Sequence, residues 1–177
     1  MIDVSEDYFR PILITAINTG MRRGEMLALK WNDINFHTDT IYIREAKSGE
    51  GRAIPMNSNV KNALVSIRKH PKSDFVFTTK QGERRFDLRK PFAKALKKAG
   101  IERHFRFHDL RHTFASHLAM KGVSINTIRE LLGHKSMEMT MRYSHLSPDH
   151  NRRAVAVLED RAATNSTLKP EVEYCLL

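Results

Sequence analysis

The chain has 177 residues, the size of one ordinary domain, and is long enough to bury a core without disulfide or metal staples. Its single cysteine, Cys175, has no partner within the chain, which excludes an internal disulfide and suits a reducing cytoplasm. A formal charge of +10, from 30 Lys and Arg against 20 Asp and Glu, points to an anionic partner, nucleic acid first. A membrane surface is excluded as the leading partner because the chain has no long apolar run, no signal-peptide pattern and no helix basic on one face alone.

In chain order, Tyr8, Ile12, Leu13 and Ala16 recur at helical spacing and predict a helix over 5–18, with Glu6 and Asp7 in its first turn and Gly20 as its stop. A second helix over 22–29 turns Met26 and Leu29 inward, and Trp31 buries its ring beside these first helices. Ile41 and Ile43, then Ile54 and Met56, alternate with polar neighbours and predict short strands around a turn at 47–51. Ser58 is placed to cap a helix carrying Val60, Leu64 and Ile67, and Phe75, Val76 and Phe77 read as a brief buried strand. Pro91 opens a helix carrying Phe92, Leu96 and Ala99 that stops at Gly100.

Leu110, Phe114, Ala115, Leu118 and Ala119 predict a helix over 110–121, ended by Gly122. Ser124 opens a shorter one with Ile125, Ile128, Leu131 and Leu132 inward, closed by Gly133. Met137, Met141 and Tyr143 fall in a further helical stretch, in which Met137, Met139 and Met141 read as core and surface filler. Pro148 precedes a basic helix over 150–161, and 162–177 reads as a tail.

The last third of this pattern carries chemistry. Transfer of a phosphoryl group needs cations on the non-bridging oxygens, a nucleophile, and a proton for the leaving oxygen. Arg22 and Arg111 suit the first task, because a guanidinium fork meets two oxygens at once. Gly133 presents His134 from a fixed corner, as a hydrogen-bond donor to the phosphate. Tyr143 is the nucleophile, and with a reference pKa of about 10 only about one phenol in a thousand is ionised at neutral pH, so it needs a base. His108 is assigned to take that proton, and Lys47, on the tight turn, to protonate the departing oxygen. Glu25 pairs with Arg22 or Arg23.

Singly, each of these residues reads as ordinary packing or solvated charge, and it is their joint presence that carries the assignment. His108, His112 and His117 do not make a zinc site, since there is no usable cysteine and no glutamate in a His-Glu-X-X-His helix; His112 and His117 read as structural or DNA-facing. Arg44, Arg84, Arg106 and Lys135, with Arg10, Arg85 and Arg103, are candidate phosphate contacts.

Residues 19–25 (Thr-Gly-Met-Arg-Arg-Gly-Glu), 29–34, 108–117 and 131–143 together resemble the catalytic domain of the tyrosine recombinases, the family of phage integrases and chromosome-dimer resolvases. The resemblance implies an α+β, mainly α-helical fold with a small antiparallel three-stranded sheet. It implies a catalytic site of Arg22, Lys47, His108, Arg111, His134 and Tyr143, with Glu25 in support. It implies site-specific cutting and rejoining of double-stranded DNA through a 3′-phosphotyrosine, without metal, ATP or other cofactor. The partners it implies are a specific recombination site, a homo-tetramer on DNA from protomers that are monomeric when free, and accessory DNA-bending or directionality proteins. The location is the cytoplasm, at the nucleoid. On this reading 1–161 is an excised catalytic domain, the amino-terminal DNA-clamping domain is absent, and the tail 162–177 is either flexible or packed on a neighbouring protomer.

Overall fold

The computed structural model describes residues 1–44, 51–147 and 155–156. Lys47 and its expected turn, most of the basic helix expected over 150–161, and the tail lie outside the described residues.

The first helix, α1, spans Arg10–Thr19 rather than 5–18. Pro11 lies in its first turn, where its fixed φ and missing N–H cost nothing, so the acidic Glu6 and Asp7 fall in the turns before it. The aromatic that enters the core is consequently Phe9, 1% exposed, while Tyr8 stays 45% exposed with the Arg85 guanidinium 4.3 Å over its ring. Gly20 ends α1 in the left-handed conformation, φ 60°, and a Cβ there would run into the Phe114 ring. Helix α2, Arg23–Leu27, follows at once and buries Met26 and Leu27.

A 3₁₀ turn, Trp31–Asp33, feeds a three-stranded antiparallel sheet in the order β1 (Ile34–Asn35), β2 (Thr40–Ile43), β3 (Arg52–Pro55). Ile41 opposes both Ile34 and Ile54, so one face of the sheet is apolar. Helix α3, Ser58–Val65, is capped by Asn57, whose side chain accepts from the Val60 amide; Ser58 is its first helical residue. Phe75 to Phe77 do not form a strand. A single bridge joins Phe75 to Lys30, and the Val76 amide donates to Leu29 carbonyl, so this segment is an irregular edge that still buries Val76 and Phe77. Helix α4, Arg89–Lys98, begins two residues before Pro91.

Helices α5 (Asp109–Met120) and α6 (Ile125–Leu132) follow the expected boundaries, with Ser124 capping α6 through the Thr127 amide. The helical stretch expected through Tyr143 is one turn, α7 (Glu138–Met141), and Tyr143 then leads into a 3₁₀ turn, Ser144–Leu146. Of the expected core and surface filler only the surface part holds: Met137, Met139 and Met141 are all exposed, and the residue pointing inward is Thr140.

Two apolar clusters result. The larger joins α1 and α2, the sheet, α3 and α4 around Phe9, Leu13, Met26, Ile41, Ile54 and Leu64, with Trp31 packed at its margin. The smaller joins Phe114, Ala115, Ala119, Ile128 and Leu132 to Tyr143. The fold is the expected one, mainly helical with a small antiparallel sheet. Among the described residues no helix is long and apolar enough to cross a membrane.

Candidate active site

The carboxyl end of α6 organises the site. The last carbonyls of a helix lack intrahelical partners, and the helix dipole places partial negative charge there. Three arginines from three distant segments take three consecutive carbonyls: Arg52 Nε donates to Leu131 (2.9 Å), Arg111 Nη2 to Leu132 (2.6 Å) and Arg22 Nη2 to Gly133 (2.9 Å). Arg111, from α5, also donates to the Gly20 carbonyl at 2.6 Å, so one buried side chain joins the ends of α1 and α6.

Glu25 locks the other two. Its carboxylate accepts from the Arg22 amide (2.9 Å), from Arg22 Nη1 (2.7 Å), and from Arg52 Nη1 (3.1 Å) and Nη2 (2.8 Å). Burial alone would raise its pKa, but hydrogen bonds and charge from Arg52, then Arg22, outweigh it and hold the carboxyl at about 2. Three guanidiniums against one carboxylate leave an excess of two positive charges. Burial, with the nearby charges of Arg22 and Arg52, lowers Arg111 to about 10, which still leaves it protonated at neutral pH.

His134 follows Gly133, whose left-handed φ of 63° turns the chain out of α6. Its Nδ1 lies 2.8 Å from the buried Thr140 hydroxyl, which leaves Nε2 as the nitrogen for a ligand. Burial, followed by the charges of Arg111 and Arg22, pushes His134 down to about 4, so the ring is neutral at pH 7. His108 precedes α5 and is likewise lowered, by burial first and then by His112 and Arg111.

Tyr143 is 5% exposed, and burial raises its pKa against the opposing charges of Arg142 and Arg111. Its hydroxyl does not meet His108, the expected proton acceptor. It lies 2.6 Å from Nδ1 of His112, and His108 stands edge-on to the His112 ring with centroids 5.2 Å apart. The two histidines are one helical turn apart on one face, so their spacing could not decide which reaches the tyrosine.

The structure thus gathers Arg22, Arg111, His134 and Glu25 as the sequence suggests, sets His108 and Tyr143 around His112, and leaves Lys47 outside the described residues. Sequence reasoning missed Arg52 altogether. A signal existed, since Arg52 alternates in phase with Ile54 and Met56 and so falls on the inward face of its strand, where a cation requires a carboxylate.

The candidate phosphate contacts are less uniform. Arg44 pairs with Asp33 at 2.9 Å, and Arg106 donates to the Asp109 carboxylate from its amide at 2.8 Å and from its guanidinium at 3.3 Å. Arg84 is turned inward onto the Leu27 carbonyl, so it is held by the protein rather than presented outward, whereas Lys135 is exposed. Among the described residues no three His, Cys, Asp or Glu side chains converge as a metal site.

Residues 4–150 match the model of the phage integrase family. The integrase of Salmonella phage P22 is 35% identical over 164 residues, which cover 85% of this chain and 42% of that protein. Tyrosine recombinase XerC of Oceanobacillus iheyensis is 31% identical over 161 residues, 84% of this chain and 52% of the relative. The chain therefore spans about half the length of the curated relatives it matches. Among solved structures, the catalytic domain of bacteriophage HP1 integrase superposes with a TM-score of 0.64 at 30% identity, covering 90% of this chain and 85% of that one. XerH site-specific recombinase bound to its difH substrate gives a TM-score of 0.72 at 26% identity, covering 89% and 50%. With its fold and its arginine cradle, this chain belongs to the phage integrase family, the tyrosine recombinases.

Proposed function

We propose that this chain is the catalytic domain of a site-specific recombinase that cuts and rejoins double-stranded DNA through Tyr143. The observation that carries this reading is the cradle at the end of α6, where Arg22 and Arg111 stand with excess positive charge beside a neutral His134. A phosphodiester seated there would meet guanidinium N–H groups and His134 Nε2. The same donors gain strength as the transition state accumulates negative charge. Tyr143 Oη attacks phosphorus, a 3′-phosphotyrosine forms and a 5′-hydroxyl leaves; attack by the 5′-hydroxyl of a partner strand reverses the step. The ester conserves the energy of the broken bond, so neither ATP nor a divalent metal is assigned a role. Lys47, carried on the segment before β3, is assigned to protonate the leaving oxygen.

The finer organisation belongs to the same proposal. Residues 1–161 form the catalytic unit, 162–177 pack on a neighbouring protomer, and four protomers act on two duplexes carrying a specific site, with DNA-bending or directionality proteins as accessories. An amino-terminal clamping domain would supply most of the affinity, and the reaction would take place at the nucleoid. Arg44, Arg106 and Lys135 serve as phosphate contacts outside the cradle.

Covalent capture tests the reaction. The protein is incubated in EDTA with a library of duplexes of random sequence, each nicked so that cleavage releases a short 5′-hydroxyl fragment, and adducts that survive SDS are sequenced. A DNA-linked band that is lost in Tyr143→Phe is expected. Absence of any adduct from wild type, or an adduct undiminished in Tyr143→Phe, overturns the proposal.

A further inference from the structure

The hydroxyl of Tyr143 rests on a side chain to which the recombinase reading assigns no task, with Oη 2.6 Å from Nδ1 of His112. That distance is at the short end for a hydrogen bond between a hydroxyl and a ring nitrogen. His112 directly follows Arg111 on α5, so it shares the frame that Arg111 locks between Gly20 and Leu132. Its ring stands 6.1 Å from the Tyr143 ring between centroids, tilted by 46°.

Resting on the assignment of Tyr143 as the nucleophile, we propose that His112 is a catalytic residue, the base that takes the tyrosine proton as Oη attacks. The groups facing it suit that role. Burial and the charges of Arg142, Arg111 and Arg106 lower its pKa, while Asp109, one turn earlier on α5, opposes them. The ring is then neutral at rest, with a lone pair on Nδ1 for the phenol, and the Asp109 carboxylate favours the imidazolium that forms. Buried Tyr143 resists ionisation by itself, so an acceptor already hydrogen-bonded to it removes the need for a free phenolate.

In the forward step the Oη–H bond breaks and its proton passes to Nδ1. Oη bonds to phosphorus as the P–O5′ bond breaks, and O5′ leaves with a proton from a separate acid, the role given to Lys47. In rejoining, the 5′-hydroxyl attacks and returns its proton to the group that served as the acid, the phosphotyrosine P–O bond breaks, and Nδ1 returns its proton to Oη.

The test separates proton removal at the nucleophile from proton delivery at the leaving group. A captured DNA sequence is resynthesised with sulfur in place of the bridging 5′ oxygen at the scissile phosphate; thiolate leaves without an acid. Rates of adduct formation are compared for wild type, Lys47→Ala, His112→Ala and His112→Gln on both substrates. Lys47→Ala should be slow on oxygen and restored on sulfur. His112→Ala should be slowed by about a hundredfold on both. His112→Gln can still hold the hydroxyl by a hydrogen bond but cannot take its proton, so it should be equally slow, and it decides the matter if the alanine variant fails to fold. Restoration of the His112 variants by sulfur, a near-wild-type rate in His112→Gln, or a rate at or above wild type in His112→Ala would each overturn the proposal. Failure of wild type itself to form an adduct would instead overturn the recombinase reading on which it rests.

Discussion

The two apolar clusters support the site in opposite ways. The larger one buries Phe9, Leu13, Met26 and Ile54 beneath α1, α2 and the sheet, the elements that deliver Arg22, Glu25 and Arg52. Those side chains lie outside the packing and are fixed by hydrogen bonds to one another and to the end of α6. The smaller cluster has no such division: Tyr143, the proposed nucleophile, is itself one of its members, packed with Phe114, Ile128 and Leu132. The cradle therefore spans both clusters, with Arg22, Glu25 and Arg52 on elements of the larger and Arg111 and the last α6 carbonyls on helices of the smaller, whereas Tyr143 lies wholly in the smaller, the part with least apolar burial. Local opening costs least where few apolar contacts are lost.

Glu25→Gln should have the largest effect on this contrast, because it leaves Arg22 and Arg52 without their counter-charge. A loss of about 3–5 kcal/mol is expected in urea unfolding, and a loss below about 1 kcal/mol would show that the cradle does not depend on that carboxylate. The wild type reports on the same group through pH. The folded carboxyl is held at about 2 against an ordinary 4.5, so its contribution is complete above about 4.5 and is lost as pH falls through that interval. Thermal midpoints should drop across this window in the wild type and vary less in Glu25→Gln.

A pair of truncations sharpens the comparison next. Leu64→Ala, in the larger cluster, should cost about 2–5 kcal/mol of global stability. Ile128→Ala, equally buried but in the smaller cluster, should in addition accelerate amide exchange through α6 and α7 while leaving α1 protected by its global stability. Identical exchange patterns in the two variants would erase the distinction.

Gly133→Ala acts at the seam between the clusters. A side chain at φ 63° costs about 1–2 kcal/mol, and its Cβ would sit 2.9 Å from Arg52 Nη1. The variant should bind DNA normally yet form adducts more slowly, since both Arg52 and His134 would be displaced. Smallest of all, Lys135→Ala should leave stability within about 0.5 kcal/mol of wild type and reduce the salt dependence of DNA binding by about one unit of log–log slope.

Much of this was legible in the amino-acid sequence because it depends on neighbours along the chain. Gly20 and Gly133 end their helices since only glycine takes a left-handed φ without strain, and the faces of α5 and α6 follow from their apolar period. Local reasoning was less sure at helix starts. Asn57 and Ser58 are both good capping residues, and Pro91 tolerates the third position of a helix as it does the first, so those starts moved by one or two residues. The sequence does not divide the methionines of α7 between core and surface, because a single turn has too few residues for a period to show, and packing buried Thr140 instead.

By itself, then, the sequence determined which residue types meet: two arginines, a histidine at a glycine corner and a tyrosine, on a mainly helical frame with a small sheet. Only the tertiary structure decided who touches whom. It gave Tyr143 to His112 rather than His108, gave Glu25 to Arg52 as well as Arg22, and set three arginines on three successive carbonyls of α6. The reason is physical. Spacing along a helix fixes the face a side chain occupies, but a partner 27 or 31 residues away is selected by where elements cross and which polar groups their burial leaves unsatisfied.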